Sequence, residues 1–214
     1  MTLTSDTPPD PRRHMPATLR NRDAILAVLR EVVPKQGMLL EIASGSGEHA
    51  AFMAPQLAPL TWQPSDYESD HLASIDAYAA DSMFAHGGSG NILPAIRLDV
   101  TQQPWPVARC AALLCCNMIH IAPWAAAEGL FAGAAAIMPK EAPLILYGPF
   151  KRHGRHTAPS NEKFDAEFLK SRNPLWGVRC LDTEVVPLAA RTGFALDRIV
   201  EMPANNLIVI FRKI

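Results

Sequence analysis

Glu41, Asp66, Asp99, Asn117 and His120 each stand at or just beyond the end of a short apolar run, and Tyr147 closes a further one. Such side chains can grip hydroxyls, neutralise a cation or move a proton. Glu41 comes first, two residues ahead of Ala43-Ser44-Gly45-Ser46-Gly47. Gly45 and Gly47 can adopt backbone angles closed to other residues, so a ligand can approach the main chain there. The acid before the loop suits a cationic or hydroxyl-bearing ligand. The loop lacks the Lys-Ser/Thr ending of a P-loop, which argues against nucleoside triphosphate hydrolysis. Asp66 lies 19 residues beyond Gly47, near the spacing at which an acid meets ribose hydroxyls in nucleotide-binding α/β units.

These residues need elements to hold them. Ile25, Leu26, Leu29 and Val33 recur at helical spacing, so Thr18–Val33 reads as a helix stopped by Pro34. Strands are predicted at 38–43, 61–66, 95–98, 111–116 and 143–147. Helices are predicted at 48–60, interrupted or capped near Pro55, and at 69–84 and 123–138. His86–Gly90 reads as a loop. Residues 185–192 form a further helix with Gly193 as its C-cap. Strands at 194–202 and 207–212 finish the chain, joined by Pro203-Ala204-Asn205-Asn206, where Asn tolerates left-handed geometry. Alternating strands and helices imply an α/β fold with a mostly parallel sheet, and the terminal hairpin adds an antiparallel strand. Residues 1–15, rich in proline, read as a flexible tail or extended arm, and 16–214 as a single domain. Residues 148–180 break the rhythm with basic and aromatic groups and read as a lid over the site.

Bulk properties narrow the classes. A formal charge of −1 gives no global basic field for nucleic acid. Lys151, Arg152, His153, Arg155 and His156 are a local exception, suited to an acidic substrate or a phosphate backbone, or simply a solvated loop. No apolar run approaches a membrane span. The four cysteines show no paired metal spacing, and Cys115-Cys116 sit in an apolar run as expected of buried thiols. A reducing, cytoplasmic setting, no metal, and a monomer or homodimer are expected.

The motifs together resemble the class I S-adenosylmethionine-dependent methyltransferases, and within them the small methyltransferase-like protein 26 family, a domain of unknown function. The resemblance runs from about Pro16 to the C-terminus. It rests on Arg20-Asn21-Arg22, Leu40–His49, Trp62-Gln63-Pro64-Ser65-Asp66, Asn117-Met118-Ile119-His120-Ile121, Tyr147-Gly148-Pro149-Phe150, Ser160–Asp165 and Trp176-Gly177-Val178-Arg179. Ala43 replaces the first glycine of the superfamily loop, which requires ordinary backbone angles there. The resemblance implies a Rossmann-like, seven-stranded sheet with an antiparallel last strand and helices on both faces. It implies S-adenosylmethionine as cofactor and S-adenosylhomocysteine as product.

On that footing Glu41 lies near the cationic end of the cofactor, and Ala43, Ser44, Gly45 and Gly47 bring backbone against its amino-acid and ribose portions. Asp66 holds the ribose, Asp99 the adenine amino group with the Val100 amide, and Asn117 and Met118 line the sulfonium side. Asn21 and Arg22 reach the carboxylate or begin a solvated helix. Asn117, His120 and Tyr147 face the reacting methyl group, with His120 either a general base or a packing residue. His49 caps or packs. Phe150, Asn161, Phe164, Asp165 and Trp176 are the candidate contacts to a small-molecule acceptor, methylated by in-line displacement; the alternatives are an RNA or protein methyltransferase, or a non-catalytic S-adenosylmethionine-binding module. Gly45–Ala50 also fits the dinucleotide loop G-x-G-x-x-G/A, but Glu41 and the two closing strands argue against a nicotinamide dehydrogenase.

Overall fold

The computed structural model describes residues 10–87 and 90–214. Its chain order begins with α1 (Pro16–Val32), β1 (Met38–Ile42), α2 (Glu48–Met53) and β2 (Thr61–Asp66). Next come α3 (Ser69–Ala85), β3 (Ile96–Arg97), β4 (Ala112–Cys116), α4 (Trp124–Ile137) and β5 (Pro143–Gly148). A small hairpin, β6 (Lys151–Arg152) and β7 (Arg155–His156), leads into α5 (Pro159–Lys163). The chain closes with α6 (Val186–Arg191), β8 (Phe194–Met202) and β9 (Asn206–Lys213). Local chemistry accounts for several boundaries. Pro16 opens α1, where a missing N–H costs nothing. Val33, ahead of Pro34, is extended and ends it. The expected helix over 48–60 stops at Met53 and tightens into a 3-10 turn, Ala54–Leu57, because Pro55 brings no backbone donor. Residues 88 and 89, within the loop expected at His86–Gly90, lie outside the described residues.

The seven-stranded sheet has the order β3-β2-β1-β4-β5-β9-β8, with β9 antiparallel to both neighbours and the other pairings parallel. The plain dinucleotide-binding order would be 3-2-1-4-5-6. Here the last strand inserts between β5 and β8. The order reverses between β1 and β4, and at that point the loops leaving the strands diverge and leave a crevice.

Side chains alternate across the sheet with a period of two. Leu40, Ile42, Leu113, Leu144, Leu146 and Phe211 pack on the face covered by α4 and α6. Leu39, Leu114, Ile145, Tyr147 and Ile210 pack on the opposite face, with Ile25 and Leu29 of α1 and Met53 of α2. Each fully buried aliphatic side chain of this kind contributes about 1.5–3 kcal/mol. This double cover forces near-continuous apolar strands, and it explains why β1, β4 and β5 read as runs rather than alternations.

Of the expected N-terminal tail, residues 1–9 lie outside the described residues. Residues 10–15 run as an arm along α2 and α3. The Arg13 amide donates to Ser74 Oγ (2.9 Å) and the Met15 amide to Glu48 Oε2 (2.8 Å). The Ser46 hydroxyl donates to the same Glu48 oxygen (2.8 Å), tying the arm to the glycine loop.

Candidate functional site

A cleft with a cavity volume of about 640 Å³ opens at the carboxyl ends of β1 to β4. Its floor is the loop Ile42–Ser46. Ala43 (φ 56°) and Gly45 (φ 61°) are both left-handed. The ordinary backbone expected of Ala43 is therefore not what the fold uses, and its Cβ pays the steric penalty that glycine would escape. Gly47 (φ 91°) does not line the cleft. A methyl group there would come within 2.6 Å of Ile75 Cα, so this glycine serves close packing of the loop on α3.

Asp66, at the end of β2, lines the cleft and fastens the loop. Its Oδ2 accepts from the Gly45 amide (2.8 Å) and its Oδ1 from the Glu68 amide (2.9 Å). Each carboxylate oxygen keeps lone-pair capacity for a ligand hydroxyl. His71 Nδ1 lies 3.0 Å from Oδ1, near enough for an ion pair when protonated but off the line of a hydrogen bond. Asp99 and Val100, beyond β3, also line the cleft. Asp99 Oδ1 accepts from the Thr101 amide (2.9 Å) and hydroxyl (2.7 Å), so one of its oxygens is spent on the turn that follows. Glu68 and His71 join this wall although the sequence reading passed over them. Their signal was position alone, two and five residues after a strand-ending acid.

On the other side, Asn21 of α1, Asn117 and Met118 beyond β4, and Trp176 line the cleft, as do Ser44 and His49. Asn117 (φ 63°) turns the chain out of β4 into the 3-10 turn Met118–His120. His49 Nε2 donates to Asn21 Oδ1 (2.9 Å). Burial, followed by the nearby Arg22, pushes His49 down to about 4, so its imidazole is neutral at pH 7. Arg22 does not line the cleft; its guanidinium lies 4.1 Å from the Phe52 ring centroid.

Glu41 and Tyr147 are outside the cleft lining because the sheet alternation turns both onto the α1–α2 face. Glu41 is fully buried, and the Trp62 indole N–H donates to its Oε2 (3.0 Å). Burial pushes the carboxyl up to about 7, against the hydrogen bonds from Trp62 and Ser44. Burial raises the Tyr147 phenol as well.

His120 is buried away from the cleft. Its ring packs edge-on against Phe150 (4.8 Å between centroids), and Nδ1 accepts from the Arg179 amide (3.2 Å). That bond leaves the proton on Nε2, which has no partner among the described residues. Burial, with Arg179 beside it, pushes His120 down to about 3. The packing alternative, not the general base, describes its place.

The segment 148–180 is folded around its own buried carboxylate. Asp165 Oδ2 lies 3.0 Å from Lys151 Nζ, 3.2 Å from His156 Nε2 and 3.2 Å from Lys170 Nζ, and its Oδ1 accepts from the Val178 amide (2.9 Å). Burial alone would raise this carboxyl, but the Val178 amide and Lys151 hold it below its usual value. Arg152 pairs with Asp182 (3.1 Å). Much of the basic run is thus committed to internal ion pairs. Asn161 donates to the Asn205 carbonyl (2.9 Å), and Phe164 stacks on Phe168. Of Phe150, Asn161, Phe164, Asp165 and Trp176, the fold brings Trp176 to the cleft and leaves the other four outside its lining.

The cleft's donor set has a consistent chemistry. Asp66, Glu68 and Asp99 line it, and no lysine or arginine does among the described residues. Such a set fits hydroxyls and a positive centre and disfavours a polyphosphate. No group of three or more His, Cys, Asp or Glu fit to hold a metal ion occurs among the described residues. None of their helices is long and apolar enough to cross a membrane.

Residues 12–213 match the family model described as "Protein of unknown function (DUF938)". The chain belongs to this family. Its fold is shared with solved methyltransferase structures at low identity. A putative O-methyltransferase from Nostoc punctiforme superimposes with a TM-score of 0.73 at 14% identity, covering 90% of this chain and 55% of that one. CalO1, a methyltransferase of calicheamicin biosynthesis with S-adenosylhomocysteine bound, gives 0.70 at 16% identity, covering 89% and 54%. Magnesium protoporphyrin IX methyltransferase from Synechocystis, also with S-adenosylhomocysteine bound, gives 0.65 at 13% identity, covering 90% and 82%. The chain spans about half the length of several of the structures it matches. All share the Rossmann-like methyltransferase fold.

Proposed function

We propose that this protein is an S-adenosylmethionine-dependent methyltransferase acting on a small-molecule acceptor. The observation that carries the reading is the cleft at the β1–β4 switch point. There a left-handed glycine loop and the Asp66 and Asp99 carboxylates, with no lysine or arginine in the lining among the described residues, meet at the edge of a sheet of order β3-β2-β1-β4-β5-β9-β8. The motifs quoted above favour kinship with the methyltransferase-like protein 26 family in particular.

When bound, the cofactor supplies a methyl group already activated by its positive sulfur. The chain's part is alignment and exclusion of water, which together can lower a barrier by up to roughly 7–11 kcal/mol. In this reading Gly45 and Ser44 present backbone to the amino-acid and ribose portions, and Asp66 accepts from ribose hydroxyls while keeping the loop in register. Asp99 Oδ2 and the Val100 amide hold the adenine. Asn117 and Met118 border the methyl-bearing side, and Trp176 faces the acceptor. No residue with an ordinary base strength is required at the reacting centre. The commitment of Lys151, Arg152 and His156 to carboxylates favours a small acceptor over a nucleic acid.

Calorimetric titration with S-adenosylmethionine, S-adenosylhomocysteine and NAD tests the reading. Micromolar binding of the two adenosyl compounds without NAD binding is expected. Binding of NAD alone, or of none of the three, would overturn it.

A further inference from the structure

Arg179 lies outside the cleft lining, yet it joins the two segments that form one wall of it. Its Nε donates to the Ile119 carbonyl (2.9 Å), and Nη2 donates to the carbonyls of Ala122 (2.8 Å) and Leu175 (2.9 Å). Its guanidinium lies 5.6 Å from the Trp124 ring centroid. His120 completes the joint, accepting from the Arg179 amide through Nδ1 (3.2 Å) and from the Gly177 amide through its carbonyl (2.9 Å). Four hydrogen bonds thus lash the strap 175–179 to the turn 119–122, and the fifth, to Leu175, braces the strap itself. Trp176 on the strap and Ile121 and Ala122 on the turn line the cleft together. They stand on the β4 side, across from Asp66 and Asp99, which leave β2 and β3.

We propose that Arg179, with His120, is a positioning residue that holds Trp176 as the acceptor-side wall, and that this wall admits uncharged, apolar acceptors and rejects anionic ones. The proposal rests on the methyltransferase reading. A planar guanidinium reaches three carbonyls at once, where a lysine ammonium meets them as a single point. The wall it builds is apolar, and the rest of the cleft is lined by three carboxylates with no lysine or arginine among the described residues. An anion entering there loses hydration and gains no fixed cation in return.

The test uses the full chain loaded with S-adenosylhomocysteine. Trp176 emission is isolated by subtracting the matching Trp176→Phe proteins, which removes the signal of Trp62, Trp105 and Trp124. Arg179→Met should red-shift Trp176 emission as the wall loosens, and Arg179→Lys should shift it part of the way. Equilibrium dialysis with naphthol and naphthyl phosphate should show the phosphate binding wild type at least about tenfold more weakly, with naphthol binding lost in Arg179→Met. Should Arg179→Met fail to fold, Arg179→Lys carries the comparison. Unchanged Trp176 emission, equal binding of the two probes, or binding of neither overturns the proposal. Failure of S-adenosylhomocysteine itself to bind wild type instead overturns the functional reading, and this proposal with it.

Discussion

Glu41→Gln should change how stability depends on pH more than it changes the fold. The Glu41 carboxyl ordinarily titrates near 4.5 and is pushed up to about 7 by complete burial. Between those values the native chain holds a proton that the unfolded chain has released. Stability therefore falls as pH rises through this window, and the contribution present below 4.5 is gone above about 7. A shift from 4.5 to about 7 corresponds to about 3 kcal/mol, taking about 1.4 kcal/mol per unit. Glutamine keeps an oxygen for the Trp62 indole N–H and cannot ionise. Its buried amide donors cost about 1–3 kcal/mol where they lack partners, a cost that does not vary with pH. The signature is thus the slope. Relative to wild type, the variant should gain up to about 3 kcal/mol between pH 4.5 and pH 8. For a domain of this size that is roughly 6–12 °C in melting temperature. Urea denaturation followed by tryptophan fluorescence across this range measures it. Parallel wild-type and variant profiles would refute the reasoning, because a carboxylate ionised at pH 5 would then be tolerated at a site buried against Trp62.

Three further outcomes are expected. Asp66→Ala removes the acceptor of the Gly45 and Glu68 amides and should weaken S-adenosylhomocysteine binding by about tenfold or more, near 1.4 kcal/mol; unchanged affinity by calorimetry in a folded variant would contradict its role. Ala43→Val places a β-branched side chain at φ 56° and should cost about 1–3 kcal/mol by urea denaturation, whereas Ala43→Gly should stay within about 1 kcal/mol. Asp165→Asn leaves Lys151 and His156 clustered around a neutral group and should destabilise by about 2–3 kcal/mol, discounted from a fully buried pair because Lys151 and Lys170 are partly exposed. A melting temperature equal to wild type would show that the segment 148–180 does not depend on that carboxylate.

The sequence by itself determined the alternation of elements, most strand and helix boundaries outside residues 148–185, and the crevice where a ligand would sit. These are local matters. Apolar periodicity, proline stops and a two-glycine loop act over a few residues and leave their marks there. The same locality made Asp66 and Asn117 legible, since each ends a strand that points at the switch point. Which side of a strand a residue faces, and what covers it there, was decided only in three dimensions. Glu41 and Tyr147 share the face packed by α1 and α2, so both stand behind the cleft wall. His120 lies three residues from Asn117, but the 3-10 turn directs it under Phe150 and Arg179. The lid-like segment was legible as irregular chain, yet its interior is organised by Asp165 drawing in Lys151, His156, Lys170 and the Val178 amide. Ion pairs and clamps of this kind join residues far apart in the chain. They arise when packing removes water from charges that must then find partners, and no local pattern announces them in advance.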